Sequence, residues 1–289
     1  MLAALPFPQG PRMSTTTAAA FDRSRAEGRA ALVGYLPAGF PDVPGAIEAL
    51  RVMVDSGCDV IEIGLPYSDP VMDGPTIQAA AQRALEGGVR TTDVLRTVEA
   101  VSATGTPTVV MTYWNPIEQY GRASGPTGGL SGVERFAKDL ADAGGAGLIT
   151  PDLTPDSAEA WIAAADGHDL DKIFLVAPSS TDERLRYTTA ACRGFVYATA
   201  VMGVTGARTS TSELAGPLVQ RTRAVTDLAI GVGLGVSNGD QAAEIAAYAD
   251  AVIVGSAFVR ALLDADDPAG GLKALASLTE DLAAGVRRA

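Results

Sequence analysis

The sequence is poor in the residues that usually carry metal and amine chemistry. One histidine (His168), two cysteines (Cys58 and Cys192) and three lysines (Lys138, Lys172 and Lys273) occur in 289 residues. A transition-metal site normally draws on histidines or thiolates, and a Schiff-base nucleophile needs a lysine in the pocket. Neither set is there to build from, so no metal and no cofactor is expected. Two cysteines cannot make a disulfide framework, which points to a reducing, cytoplasmic compartment. Basic residues are also short: 22 against 34 acidic ones give a net charge of −12, with no basic run. That excludes a general nucleic-acid binder. No stretch of ~18 uncharged apolar residues occurs, which excludes a helical membrane span. The apolar start, Met1–Gln9, has no positive charge ahead of it, so it does not read as a secretory signal. Residues 1–13 read as a disordered N-terminal extension, and 14–289 as one catalytic domain.

What the chain does have is alternation. Eight short apolar runs rich in Val and Ile read as strands: Ala31–Tyr35, Asp59–Gly64, Pro107–Thr112, Ala146–Thr150, Lys172–Ala177, Gly194–Ala198, Ala229–Gly233 and Ala251–Gly255. Between them lie amphipathic helical patterns, such as Val43–Asp55, Thr92–Ala103 and Val133–Ala143. Strands alternating with helices imply parallel pairing through right-handed crossovers. Eight such units predict an α/β fold, a single (β/α)8 TIM barrel. An extra N-terminal helix over 15–27 and a C-terminal helix over Gly270–Arg287 complete it. The alternative, an open doubly wound sheet, would carry a Gly-rich phosphate turn after the first strand; Leu36–Pro41 has no such turn.

Barrel active sites lie at the C-terminal ends of the strands. His168, Cys58 and Cys192 all precede strands and fall at the other end. The polar residue that stands out is Glu62, inside the second strand and near its C-terminal end. Either face of that strand is apolar, and burial raises a carboxyl's pKa. A carboxyl raised toward neutrality can both give and take a proton. The alternative is a structural glutamate paired with an arginine. The next loop, Leu65–Pro75, holds Asp69 and Asp73, which read equally as turn formers or helix caps. Late in the chain, Gly206, Gly233-Leu234-Gly235 and Gly255-Ser256 follow strands six, seven and eight. Backbone N–H groups at such turns and at a helix start form an anion pocket, and barrels often hold phosphate there. The alternative is glycines as plain turn formers.

Glu62-Ile63-Gly64-Leu65-Pro66-Tyr67-Ser68-Asp69-Pro70, followed by Asp73-Gly74-Pro75-Thr76-Ile77-Gln78, resembles the signature of the tryptophan synthase alpha chain family. The likeness extends to Gly34–Asp42, Met111–Pro116, Pro151–Leu153 and Gly203–Gly206, and covers roughly residues 14–285. It implies cofactor-free retro-aldol cleavage of indole-3-glycerol phosphate to indole and D-glyceraldehyde 3-phosphate, a step of tryptophan biosynthesis. It assigns Glu62 as the acid–base carboxyl and Asp73 as the carboxylate assisting at the indole nitrogen. Tyr197 matches a tyrosine near Glu62, and Gly206, Gly235, Gly255 and Ser256 match phosphate-binding positions. The family works with a beta chain, as a heterotetramer of two alpha and two beta chains.

The residue inventory agrees with this chemistry. Indole protonated at C3 becomes an iminium and is its own electron sink, so neither lysine nor metal is needed. The sequence departs from the family at Thr154, Ala200, Val201 and Leu234. Leu234 stands where a phenylalanine often meets the indole ring; it keeps the wall apolar but gives up ring-on-ring contact worth about 0.5–1.5 kcal/mol. Rival readings are another phosphosugar barrel, a stand-alone indole-3-glycerol-phosphate lyase, and a non-catalytic regulatory barrel subunit.

Overall fold

The computed structural model describes residues 16–121, 130–199, 212–233 and 235–288. Helix α1 (Thr17–Ala26) precedes β1 (Ala31–Pro37), and α2 (Val43–Asp55) leads to β2 (Val60–Gly64). Two helices, α3 (Pro75–Glu86) and α4 (Thr91–Ser102), connect to β3 (Thr108–Met111). Helices α5 (Trp114–Glu118) and α6 (Gly132–Asp142) come before β4 (Gly147–Ile149). A single 3-10 turn and α7 (Glu159–Gly167) reach β5 (Asp171–Ile173), with β6 (Leu175–Val176) directly after it. Then follow α8 (Asp182–Ala191), β7 (Phe195–Thr199), α9 (Ser212–Arg223), β8 (Ala229–Gly233) and α10 (Gly239–Ala246). Strand β9 (Ala251–Val254), α11 (Ser256–Leu263) and α12 (Pro268–Gly285) close the chain.

The described strands pair in parallel, in the order β5-β4-β3-β2-β1-β9-β8-β7-β6. The two ends of that order are one piece of chain. Only Phe174 separates β5 from β6. Lys172 and Phe174 carbonyls accept from the Arg193 and Tyr197 N–H groups at 2.9 and 3.2 Å. The ring therefore closes through a fifth stave interrupted at Phe174, and the eight predicted strands are its eight staves. The TIM barrel with helices added at both ends of the chain stands as expected. Helix starts follow local capping chemistry: Asp42, Asn238 and Asp267 accept the N–H three residues on at 2.7–2.9 Å. Ser131 and Glu134 form a reciprocal box at the start of α6. Helix α5, five residues long, is too short to show a period and has no counterpart in the sequence reading.

Side chains alternate along each stave. Val33, Val60, Val109, Ile149, Ile173, Phe195 and Ile253 fill the inside of the ring. Leu32, Ile61, Ile63, Val110, Leu148, Val196 and Val252 pack outward under the helices. Helix α1 covers the N-terminal mouth, with Phe21 against Phe195 at 5.2 Å between ring centroids. At the same end, Thr17 donates its N–H (3.1 Å) and hydroxyl (2.5 Å) to Asp171, which also accepts from Arg193 at 3.3 Å.

Candidate active site

Alternation on β2 decides where Glu62 goes. Ile61 and Ile63 face the helices, so Val60 and Glu62 face the inside of the ring. Glu62 is 1% exposed, and its Oε2 finds no hydrogen-bond partner among the described residues. Burial first, then the nearby negative charge of Asp73, push its pKa up to about 8. Neither Glu62 nor Asp73 belongs to an ion pair among the described residues, so no guanidinium clasps the carboxyl.

The neighbouring staves follow the same parity. Tyr35 lies opposite Glu62 in the β1–β2 register, and Tyr197 points inward from β7. Each phenol needs a glycine beside it. A Cβ at Gly64 would meet the Tyr35 hydroxyl, and one at Gly233 would meet the Tyr197 hydroxyl. Burial pushes both phenols well above their ordinary range, with the Glu62 charge acting in the same direction. They stay neutral, each with a hydroxyl proton to offer.

Asp73 arrives from the loop after β2, just before Gly74 and the start of α3. Burial raises its pKa, and a hydrogen bond with the Tyr113 hydroxyl opposes that rise. Glu62, Asp73, Tyr35 and Tyr197 share one cavity with the apolar side chains of Met72, Ile77, Met111, Leu175 and Ile253. Among the described residues no lysine, arginine or histidine lines it.

The far wall is backbone. Gly233, Gly235, Gly255 and Ser256 all line the same cavity. Gly235 sits at φ +69°, a left-handed conformation that glycine adopts without strain. Helix α11 begins at Ser256 with no side-chain cap. Its first-turn N–H groups have no acceptor within the helix, and they carry its positive dipole end. One wall can thus move protons between carboxyls and phenols, and the other offers backbone N–H groups to an anion.

Of the residues singled out from sequence, Glu62, Asp73, Tyr197, Gly235, Gly255 and Ser256 meet in this cavity. Gly206 and Leu234, like Ala200 and Val201, lie outside the described residues. Tyr35 and Tyr113 were not singled out. Counting inward positions back along β1 would have found Tyr35; nothing local marks Tyr113. Asp69 instead bonds with its neighbour Ser68 at 2.5 Å. His168 is exposed at the end of α7, and Cys58 is buried in the layer under the helices. Among the described residues no three His, Cys, Asp or Glu side chains gather in a way that could hold a metal ion.

The sequence profile of the tryptophan synthase alpha chain family matches residues 21–287. The tryptophan synthase alpha chain of Salinispora arenicola is 62% identical over 268 residues, covering 93% of this chain and 96% of that one. That of Acidothermus cellulolyticus is 61% identical over 274 residues, covering 95% and 98%. Among solved structures, a chain of Mycobacterium tuberculosis tryptophan synthase superposes with a TM-score of 0.84 at 57% identity, over 94% of this chain and 98% of that one. The tryptophan synthase alpha subunit of Legionella pneumophila superposes with a TM-score of 0.81 at 29% identity, over 95% and 99%.

Proposed function

The chain belongs to the tryptophan synthase alpha chain family, a carbon–carbon lyase of indole-3-glycerol phosphate, and from that premise we propose how its barrel mouth performs the reaction. The observation that carries the proposal is Glu62: a buried carboxyl with an unpartnered oxygen, in one cavity with Asp73 and the α11 start.

Near neutral pH Glu62 holds a proton, because burial and Asp73 have raised it to about 8. It gives that proton to C3 of the indole ring, which becomes an iminium. The ionised Asp73 offsets the positive charge at the ring nitrogen. The Glu62 carboxylate then takes the proton of the glycerol hydroxyl next to the ring. The carbon–carbon bond breaks, its electron pair returns to the ring, and an aldehyde forms. Glu62 ends protonated as it began, so one group serves as acid and then base. The N–H groups around Gly235 and at the start of α11 hold the phosphate, an effect of short range in a protein of net charge −12. The apolar walls, Met111, Leu175 and Ile253 among them, take the ring.

The lyase works with a beta chain, as two alpha and two beta chains, and delivers indole to it for tryptophan biosynthesis. No helix of the described residues is long and apolar enough to cross a membrane, and we place the protein in the cytoplasm. The test is indole release from indole-3-glycerol phosphate, with and without a beta chain. Glu62→Gln is expected to bind the substrate and fail to cleave it. Near-normal turnover in that variant would sink the proton-transfer role, and turnover indifferent to a beta chain would point to a stand-alone lyase.

A further inference from the structure

Two phenols share the cavity with Glu62, and the glycines beside them show where each hydroxyl stands. Inward positions recur every second residue, so the place next to Glu62 on the mouth side belongs to residue 64, about 7 Å further along the stave. That residue is Gly64, and the Tyr35 hydroxyl fills the space its side chain would take. Tyr35 itself lies directly across from Glu62 in the β1–β2 register. Its ring therefore leans onto β2 and sets the hydroxyl just above the carboxyl. Tyr197 repeats the arrangement on the other side: it lies across from Gly231, and its hydroxyl fills the space at Gly233. Tyr197 thus stands toward the turn that carries Gly235, and Tyr35 toward the carboxyls.

The ring of Tyr35 is held from both sides. A Cβ at Gly64 would collide with its hydroxyl, and one at Gly255, beyond the neighbouring β9, would lie 3.2 Å from its ring. It is 8% exposed and lines the cavity. Among the described residues no hydrogen bond engages its hydroxyl. Burial keeps the phenol protonated, so that proton is free to give.

The reaction has a place for it. As Glu62 takes the proton of the glycerol hydroxyl, negative charge gathers on that oxygen until the carbon–carbon bond breaks. An oxygen about 3 Å from Glu62 on its mouth side lies between the carboxyl and the Tyr35 hydroxyl. Asp73 is an acceptor, and the glycine turns face the other end of the substrate. Among the described residues no lysine, arginine or histidine lines the cavity to meet that charge.

We propose that Tyr35 is a further catalytic residue, whose hydroxyl donates a hydrogen bond to the glycerol oxygen next to the ring while Glu62 removes that oxygen's proton. Tyr35 keeps its own proton throughout: the glycerol proton goes to Glu62, and the electron pair of the broken bond goes to the ring. The proposal rests on the role given to Glu62 above.

The test uses the full chain with its beta chain and compares wild type with Tyr35→Phe, which keeps the ring between its two glycines and removes only the hydroxyl. Two quantities are read: kcat and KM for indole-3-glycerol phosphate, and the Kd of indole-3-propanol phosphate, which keeps the ring and the phosphate but has no hydroxyl beside the ring. The bond gains strength only as charge develops, so kcat falls about tenfold with KM within about twofold of wild type. The Kd of the propanol phosphate also stays within about twofold, because that probe has no oxygen there for the phenol to meet. Wild-type kcat in Tyr35→Phe overturns the proposal. So does a Kd weakened as much as kcat, which would make the phenol part of the binding wall. A loss of turnover in Tyr197→Phe beside wild-type turnover in Tyr35→Phe hands the donor's part to the other phenol and overturns it too. If Tyr35→Phe does not fold, Gly64→Ala displaces the same hydroxyl without removing it: a lower kcat at unchanged Kd supports the proposal, and wild-type kcat overturns it. Near-normal turnover in Glu62→Gln would sink the reading above; wild-type kcat in Tyr35→Phe beside an inactive Glu62→Gln sinks this proposal alone.

Discussion

Two carboxyls stand at opposite ends of the same barrel, each 1% exposed: Asp171 at the N-terminal mouth and Glu62 at the C-terminal one. Asp171 is surrounded by donors. Thr17 gives it an N–H and a hydroxyl, Arg193 gives a guanidinium N–H, and the result ties α1 to the fifth stave. Glu62 lies among apolar side chains and phenols with one oxygen unpartnered. Burial is the same; partners differ. A buried carboxyl fully met by donors ties elements together and does structural service. A buried acid left short of donors is held near the point of exchange, which is what proton transfer requires.

The sharpest way to break this comparison is to neutralise each carboxyl in turn. Glu62→Gln should lower turnover about 10³-fold, the scale of general acid–base catalysis, while the protein melts no lower than wild type at pH 8. A variant that lost stability instead would make Glu62 the structural member of the pair. The next effect is on pH. A carboxyl raised from 4.5 to about 8 binds its proton more tightly folded than unfolded. Its stabilising contribution is full below about pH 4.5 and is lost as pH rises toward 8. Denaturant titrations should show wild type losing on the order of 4 kcal/mol more than Glu62→Gln across that window. Equal slopes would mean that Glu62 ionises freely. Turnover should fall on the alkaline side as the same proton leaves.

Asp171→Asn is the counterpart. It should cost about 2 kcal/mol in chemical denaturation, since Arg193 keeps its second partner, Asp169, at 2.9 Å. Turnover of the folded variant should stay at the wild-type level; a loss would mean the two mouths are coupled. The smallest effect belongs to the wall proposed to hold phosphate. Gly235→Ala places a side chain at φ +69° and should cost about 1 kcal/mol, read as a KM about fivefold higher with kcat little changed. An unchanged KM would remove that turn from the phosphate site.

Much of this was legible in the chain. Apolar runs of four to six residues marked all eight staves, because a strand buried on both faces must be apolar throughout. Glu62 stood out for the same reason: a carboxyl in such a run has no innocuous side to point to. The glycines after staves seven and eight marked turns that line the same cavity as Glu62, because the C-terminal ends of the staves meet at one mouth. The break in the fifth stave at Phe174 was not legible, since that residue is as apolar as its neighbours. Helix α5 was missed because five residues are too few to show a period. Tyr113 was invisible as a neighbour of the loop before Asp73 because its hydroxyl meets the Met72 N–H across 41 residues of chain.

Composition and periodicity alone settled that the chain makes a closed ring of strands wrapped by helices, and they pointed its chemistry toward carboxyls and backbone N–H groups. Both follow from inventory and from the two-residue period of a strand. Only the folded chain decided which carboxyl is satisfied and which is left waiting. That depends on donors delivered from other staves and loops, and the proximity of Thr17 to Asp171 exists nowhere along the sequence.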